Sequence, residues 1–180
     1  MNNLGIDKNI VSLQSHNENW SAEFKKEKAI LQGLLKGYEV QLAHVGSTAI
    51  KGLSAKPIID VALGVDSVET IKAVAEVLAI NGYYTKCNLA DRGCIFIAKE
   101  NMPNSRTHHI HLSIVGSARW NEQVYFKKYL LEHPEIIAEY ENLKKDFATK
   151  HANNRTEYTS AKDVFIKSIL EKAYIFYGVK

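Results

Sequence analysis

The feature that most constrains this chain is an apolar run, Pro57-Ile58-Ile59-Asp60-Val61-Ala62-Leu63-Gly64-Val65, with a single carboxylate near its centre. A β-branched stretch of this kind reads as a strand buried in a sheet. Asp60 inside it is costly to desolvate unless it meets a metal ion, a cation or hydrogen-bond donors. Just upstream, a run from Tyr38 enters His44-Val45-Gly46-Ser47-Thr48. It reads as a strand followed by a Gly-Ser turn, whose amide groups can hold a phosphate.

Periodicity places the other elements around these two strands. Trp20, Phe24, Leu31, Leu34 and Leu35 repeat at helical spacing from Asn19, and Gly37 stops the helix. Asp66 with Glu69 resembles a capping box ahead of Val68, Ile71, Val74, Ala75 and Leu78, a second helix that ends at Asn81-Gly82. Tyr83–Cys87 and Gly93–Ala98 read as two β segments, and Arg106–Val115 as a strand that puts His109, His111 and Ser113 on one face. The remainder is helical. Ser117 caps a helix carrying Trp120, Val124 and Leu131, and Pro134 opens another carrying Ile136, Ile137, Tyr140, Leu143 and Phe147. After a polar break at 151–155, the last helix turns Phe165, Ile169, Ala173 and Phe176 toward a core. Residues 1–17 read as a polar, loosely packed arm, and 18–180 as one domain.

Composition narrows the function classes. A net charge of +3 with 24 % charged and 46 % hydrophobic residues describes a globular protein and argues against a dedicated nucleic-acid binder. No apolar run reaches the roughly 18 residues of a membrane span, and residues 1–15 lack a secretory core, so the expectation is a cytoplasmic protein with no membrane partner. Cys87 and Cys94 have neither metal-type nor disulfide-type spacing, and read as buried, reduced thiols.

Taken together, His44-Val45-Gly46-Ser47-Thr48-Ala49-Ile50, Gly52-Leu53 and Ala55-Lys56-Pro57-Ile58-Ile59-Asp60 resemble the signature of the GrpB family, a group within the nucleotidyltransferase superfamily. His109-Ile110-His111-Leu112, Gly116-Ser117, His133-Pro134, Tyr140, Tyr158, Lys162 and Phe165 continue the resemblance, which spans about Trp20 to Ala173. It implies an α/β (α+β) fold: a nucleotidyltransferase-like mixed sheet flanked by helices, with a C-terminal helical segment. It also implies a nucleotide or another phosphorylated small molecule as ligand, with transfer of a nucleotidyl or phosphoryl group to a small acceptor as the associated reaction. The alternative is a non-catalytic ligand-sensing or protein-interaction module that keeps the fold.

In nucleotidyltransferases the Gly-Ser turn binds phosphates and an acid follows on the next strand about a dozen positions later. Asp60 stands thirteen residues after Ser47. Gly46 and Ser47 are therefore the expected phosphate contacts, with Lys56, Arg92 and Lys162 as accompanying cations and Arg106 as one more to watch. Asp60 is the expected catalytic base or metal ligand. His44, His109 and His111 complete the candidate pocket. The chain departs from the superfamily pattern at Ala62, where two-ion chemistry wants a second carboxylate, and on the later strand, which offers His109, His111 and Ser113 instead of an acid. Two readings of the histidines stay open. Either Asp60, His109 and His111 bind an ion, Mg²⁺ or Mn²⁺ before Zn²⁺, or the imidazoles hydrogen-bond the carboxylate and hold the fold.

Overall fold

The structure, a computed structural model, describes residues 4–7, 10–89, 93–152 and 154–179. Six strands, β1 (Ile6–Asp7), β2 (Gln41–Val45), β3 (Ile59–Val65), β4 (Tyr84–Leu89), β5 (Cys94–Met102) and β6 (Ser105–Ile114), form one mixed sheet. Among the described residues five helices accompany it: α1 (Asn19–Leu34), α2 (Val68–Ile80), α3 (Ala118–Glu132), α4 (Pro134–Lys150) and α5 (Arg155–Tyr177). A short 3₁₀ turn, Ser47–Ala49, follows β2.

The strand order is β2-β3-β6-β5-β4, with the short β1 beside the start of β6. Neighbours are antiparallel except β3 and β6, which run parallel. A parallel pair needs a long crossover. Here α2 and the β4-β5 hairpin provide it. The register sets Asp60 beside His109 and Ala62 beside His111, so the β3 carboxylate and the β6 imidazoles share a sheet face.

The opposite face carries the larger core. Ile59, Val61 and Leu63 of β3 and Ile110 and Leu112 of β6 pack with Leu31 of α1 and Ile71, Val74 and Leu78 of α2, all buried. Glu27 of α1 is also buried there, where Tyr83 and Lys99 donate to its carboxylate at 2.5 and 2.8 Å. On the site face, a second apolar cluster joins Ile50 and Leu53 to Tyr129, Leu130, Ile136, Tyr140, Phe165, Ile169 and Ala173 of α3, α4 and α5. The three C-terminal helices thus form a wall over one end of the sheet.

Several local expectations are corrected. The N-cap of α2 is Ser67, whose hydroxyl accepts from the Thr70 amide at 3.1 Å, so the helix starts one residue later than a cap at Asp66 would set it. Leu131 and Phe176 are exposed; the inward positions of α3 are Tyr129 and Leu130, and α5 turns Leu170 inward with Phe165, Ile169 and Ala173. Cys87 is exposed because β4 is an edge strand, and Cys94 is half-buried. The polar N-terminal segment is stitched down: Leu4 and Val11 are buried, Gly5 N–H donates to the Pro57 carbonyl, and Gln14 bridges to Ala55. No helix among the described residues is long and apolar enough to cross a membrane.

Candidate ligand site

Where β2 ends, Gly46 turns the chain at φ +68° and ψ −174° into the short 3₁₀ turn. This backbone region is essentially reserved for glycine. Space imposes the same choice. A Cβ at position 46 would stand 2.6 Å from Oδ2 of Asp60 and 2.9 Å from its Cβ. The Gly-Ser turn and the β3 carboxylate are therefore in direct contact, as the thirteen-residue spacing implied.

Asp60 is held from the side by both histidines. His109 Nδ1 lies 3.2 Å and His111 Nε2 3.1 Å from the same oxygen, Oδ1. Burial opposes ionisation of this carboxyl, but the hydrogen bonds and partial charges of the two imidazoles outweigh it and hold the group well below the usual carboxylate range. Phe96 of β5 packs against both rings, at 5.0 and 5.2 Å between centroids, and fixes their orientation. The carboxylate side chain remains 26 % exposed, and the exposed part faces a cavity.

That cavity has a volume of about 430 Å³. Gly46, Ser47, Thr48 and Asp60 form its sheet side. The helical wall contributes Tyr140, Lys144, Tyr158 and Lys162, and Lys56 enters from the loop before β3. Lys56 and Lys162 flank the Tyr158 ring, with Nζ 5.5 and 4.4 Å from its centroid. Burial pushes the hydroxyls of Tyr140 and Tyr158 above the usual phenol range, so both remain protonated, and that of Tyr140 hydrogen-bonds with Ser47. Arg119 and Glu122 of α3 also line the cavity and pair with each other at 3.0 Å.

Of the expected site residues, Gly46, Ser47, Lys56, Asp60, His109, His111 and Lys162 meet in this one cavity. His44 does not line it. It lies beneath the turn, stacked on Phe24 at 4.7 Å, with Nε2 3.0 Å from the Thr48 hydroxyl. Burial and then the nearby Lys127 push its pKa down to about 4, which leaves a neutral ring that braces the turn. Arg106 points elsewhere, toward Tyr84 and Glu100. Arg92 lies outside the described residues.

Lys144, which with Leu143 belongs to the stretch that resembles the family, was not foreseen as a site residue. Its ammonium side chain is 1 % exposed, donates to the Ser54 carbonyl and lies 3.8 Å from Glu141, while Glu141 itself accepts from the Ser54 amide and hydroxyl. Desolvation pushes its pKa down to about 7. Nothing in its sequence neighbourhood, Leu143-Lys144-Lys145-Asp146, separates it from a solvated helix face.

The donor set does not fit a two-ion centre. Ala62, at the position of a second carboxylate, is fully buried against Val45 and Trp120. Gly64, two residues further along the strand, is pressed by the same tryptophan, 2.6 Å from where a Cβ would stand. In this structure one nitrogen of each imidazole hydrogen-bonds the same carboxylate oxygen, and no group of three or more His, Cys, Asp or Glu among the described residues is arranged to hold an ion. A carboxyl held this far below its usual range is also a weak general base.

Comparison with known proteins places these features in context. The family model described as GrpB protein matches residues 10–172. The glutamate-rich protein GrpB of Alkalihalophilus pseudofirmus is 38 % identical over 94 % of this chain and 99 % of its own length. The UPF0157 protein YqkA of Bacillus subtilis is 34 % identical over 92 % of this chain, which spans 48 % of that longer protein. The crystal structure of the conserved protein GrpB from Enterococcus faecalis superposes with a TM-score of 0.82 at 30 % identity, covering 92 % of this chain and 99 % of that one. Similarity to the Cid1 poly(U) polymerase is much looser, with a TM-score of 0.46 at 14 % identity, too loose to bear on function.

Proposed function

This chain belongs to the GrpB family, and from that premise and the geometry of the cavity we propose that it binds a nucleotide or another phosphorylated small molecule between the sheet and the helical wall. One observation carries the reading. The Gly46–Thr48 turn, the Lys56–Tyr158–Lys162 cluster and Asp60 line a single cavity whose volume suits a small molecule. Amide groups at the start of a helical turn have no carbonyl partner within that turn, so those of Ser47 and Thr48 are suited to an anion. Tyrosine hydroxyls that stay protonated add neutral donors.

Two roles follow from the same pocket, each with its own support. The dry Ala62–Trp120 contact favours a non-catalytic module that senses or carries its ligand, because it removes the second carboxylate that two-ion transfer requires. The placement of the Asp60 carboxylate directly against the Gly46 turn is the feature that supports transfer of a nucleotidyl or phosphoryl group to a small acceptor. Calorimetric titration of ATP, GTP, CTP and UTP, with and without Mg²⁺ or Mn²⁺, tests the binding itself. Binding weakened by Lys162→Ala and Ser47→Ala is the expected result. Absence of heat with every nucleotide, and with sugar phosphates as a second panel, would refute the proposal for a folded protein. Turnover that Asp60→Asn abolishes would select transfer, and binding without turnover would select the module.

A further inference from the structure

Leu13 stands apart among the described residues that line the cavity. Every other one belongs to the Gly46–Thr48 turn, to the loop that leads into β3, or to a strand or helix from β3 onward. Leu13 arrives instead on the segment ahead of α1, where residues 10–17 form neither helix nor strand and make one isolated bridge. Two anchors hold this span. The Val11 amide donates to the Ala152 carbonyl at 3.1 Å, just past the end of α4, and Gln14 exchanges two backbone hydrogen bonds with Ala55 at 2.8 and 2.9 Å. The first ties the segment to the helical wall, the second to the loop that enters β3. Ser12 and Leu13, between the anchors, make no backbone-to-backbone hydrogen bond among the described residues.

Val11 is buried, whereas Ser12 and Gln14 are exposed and Leu13 is half-buried. The span is therefore held by one buried side chain, part of another and three backbone hydrogen bonds. The strand beneath it is held far more firmly, because β3 is paired on both sides and nearly all of its residues are buried. A segment with few buried contacts opens at lower free energy than the core it covers. We infer that residues 11–14 are a strap across the ligand cavity. It releases from Ala55 and Ala152 as a unit, opens the space between sheet and helical wall, and recloses with Leu13 against the contents while the sheet stays intact. Its use as a gate rests on the ligand binding proposed above; its opening does not.

Hydrogen exchange on the full chain without ligand tests the opening. The amides of Val11, Gln14 and Ala55 should share similar protection factors, at least about 100-fold below those of Val61 and Leu63 in β3. Gln14→Pro removes the amide that donates to Ala55. It should speed exchange at both Val11 and Ala55 by about tenfold, the loss expected for one backbone hydrogen bond, and leave β3 unchanged. Gln14→Ala keeps that amide and should alter neither. Protection at Val11, Gln14 and Ala55 equal to that of β3 overturns the strap, because the segment would then open only with the whole fold. Faster exchange at Ala55 alone in Gln14→Pro overturns its release as a unit. Stopped-flow mixing with N-methylanthraniloyl ATP tests the gate: Gln14→Pro should speed uptake and release alike, and rates equal to those of the unsubstituted chain overturn that role. Absence of nucleotide binding refutes the binding proposal and the gate with it, and leaves the opening to be decided by the ligand-free exchange. The unsubstituted chain decides the opening even where Gln14→Pro does not fold.

Discussion

Substituting Gly46 by alanine makes the sharpest test of how the turn and the carboxylate depend on each other. The backbone at φ +68° and ψ −174° costs a residue with a Cβ about 1–3 kcal/mol. The new methyl would stand 2.6 Å from Asp60 Oδ2 and 3.0 Å from its Cγ, so the carboxylate must shift and loosen hydrogen bonds to His109 and His111. Hydrogen bonds to a charged group contribute roughly 1.5–3 kcal/mol each, and the weakening of one adds to the backbone cost. The expected destabilisation is about 4 kcal/mol, which lowers Tm by about 8–16 °C in a chain of this length. Gly116→Ala is the control: its φ is +80°, but nothing lies within 4 Å of the added Cβ, so it carries a backbone cost alone. Urea denaturation of the two variants separates the contributions. If Gly46→Ala costs no more than Gly116→Ala, the contact between the turn and Asp60 is not the constraint described above.

Three further outcomes follow. Glu27→Ala removes the carboxylate that Tyr83 and Lys99 share beneath the sheet, and should cost about 3–5 kcal/mol in urea denaturation, well beyond the loss from Lys99→Ala, whose side chain is partly exposed. Lys144, with its pKa pushed down to about 7, binds fewer protons folded than unfolded between pH 7 and its ordinary value. Its contribution to stability therefore rises with pH across that window, by up to about 1.4 kcal/mol per pH unit, and Lys144→Met should flatten the rise. His44, pushed down to about 4, works at the acid end: the folded state resists its protonation, so stability falls as pH drops from about 6.5 toward 4, and His44→Phe should remove that part of the slope.

The strands and helices were legible because their apolar residues repeat cleanly. Asp60, His109 and His111 could be grouped from sequence because alternate strand residues share a face. The parallel register that sets Asp60 beside His109 was not legible, since no local pattern encodes which strand pairs with which. The departure at Ala62 was legible as a missing second carboxylate, but the packing of Trp120 over it was not, since it joins residues 58 positions apart in the chain. Lys144 escaped because a buried lysine on a helix looks like an exposed one until the Ser54 loop folds over it. Leu131 and Phe176 were misplaced because an aromatic-rich helix offers two adjacent faces of similar apolarity, and only the packing of the helices selects Leu130 and Leu170.

The parallel pairing of β3 with β6 also bears on how the protein assembles. β2 and β3 are antiparallel neighbours in sequence, and so are β5 and β6; each pair can form from nearby chain, whereas the β3–β6 junction joins segments some fifty residues apart and closes late. Asp60 lies on one side of that junction and the two histidines on the other. A ligand seated on Asp60 would therefore act as a clasp across the closing step. It should slow unfolding far more than it speeds folding, and resistance to proteolysis would then report occupancy of the pocket before any chemistry is known.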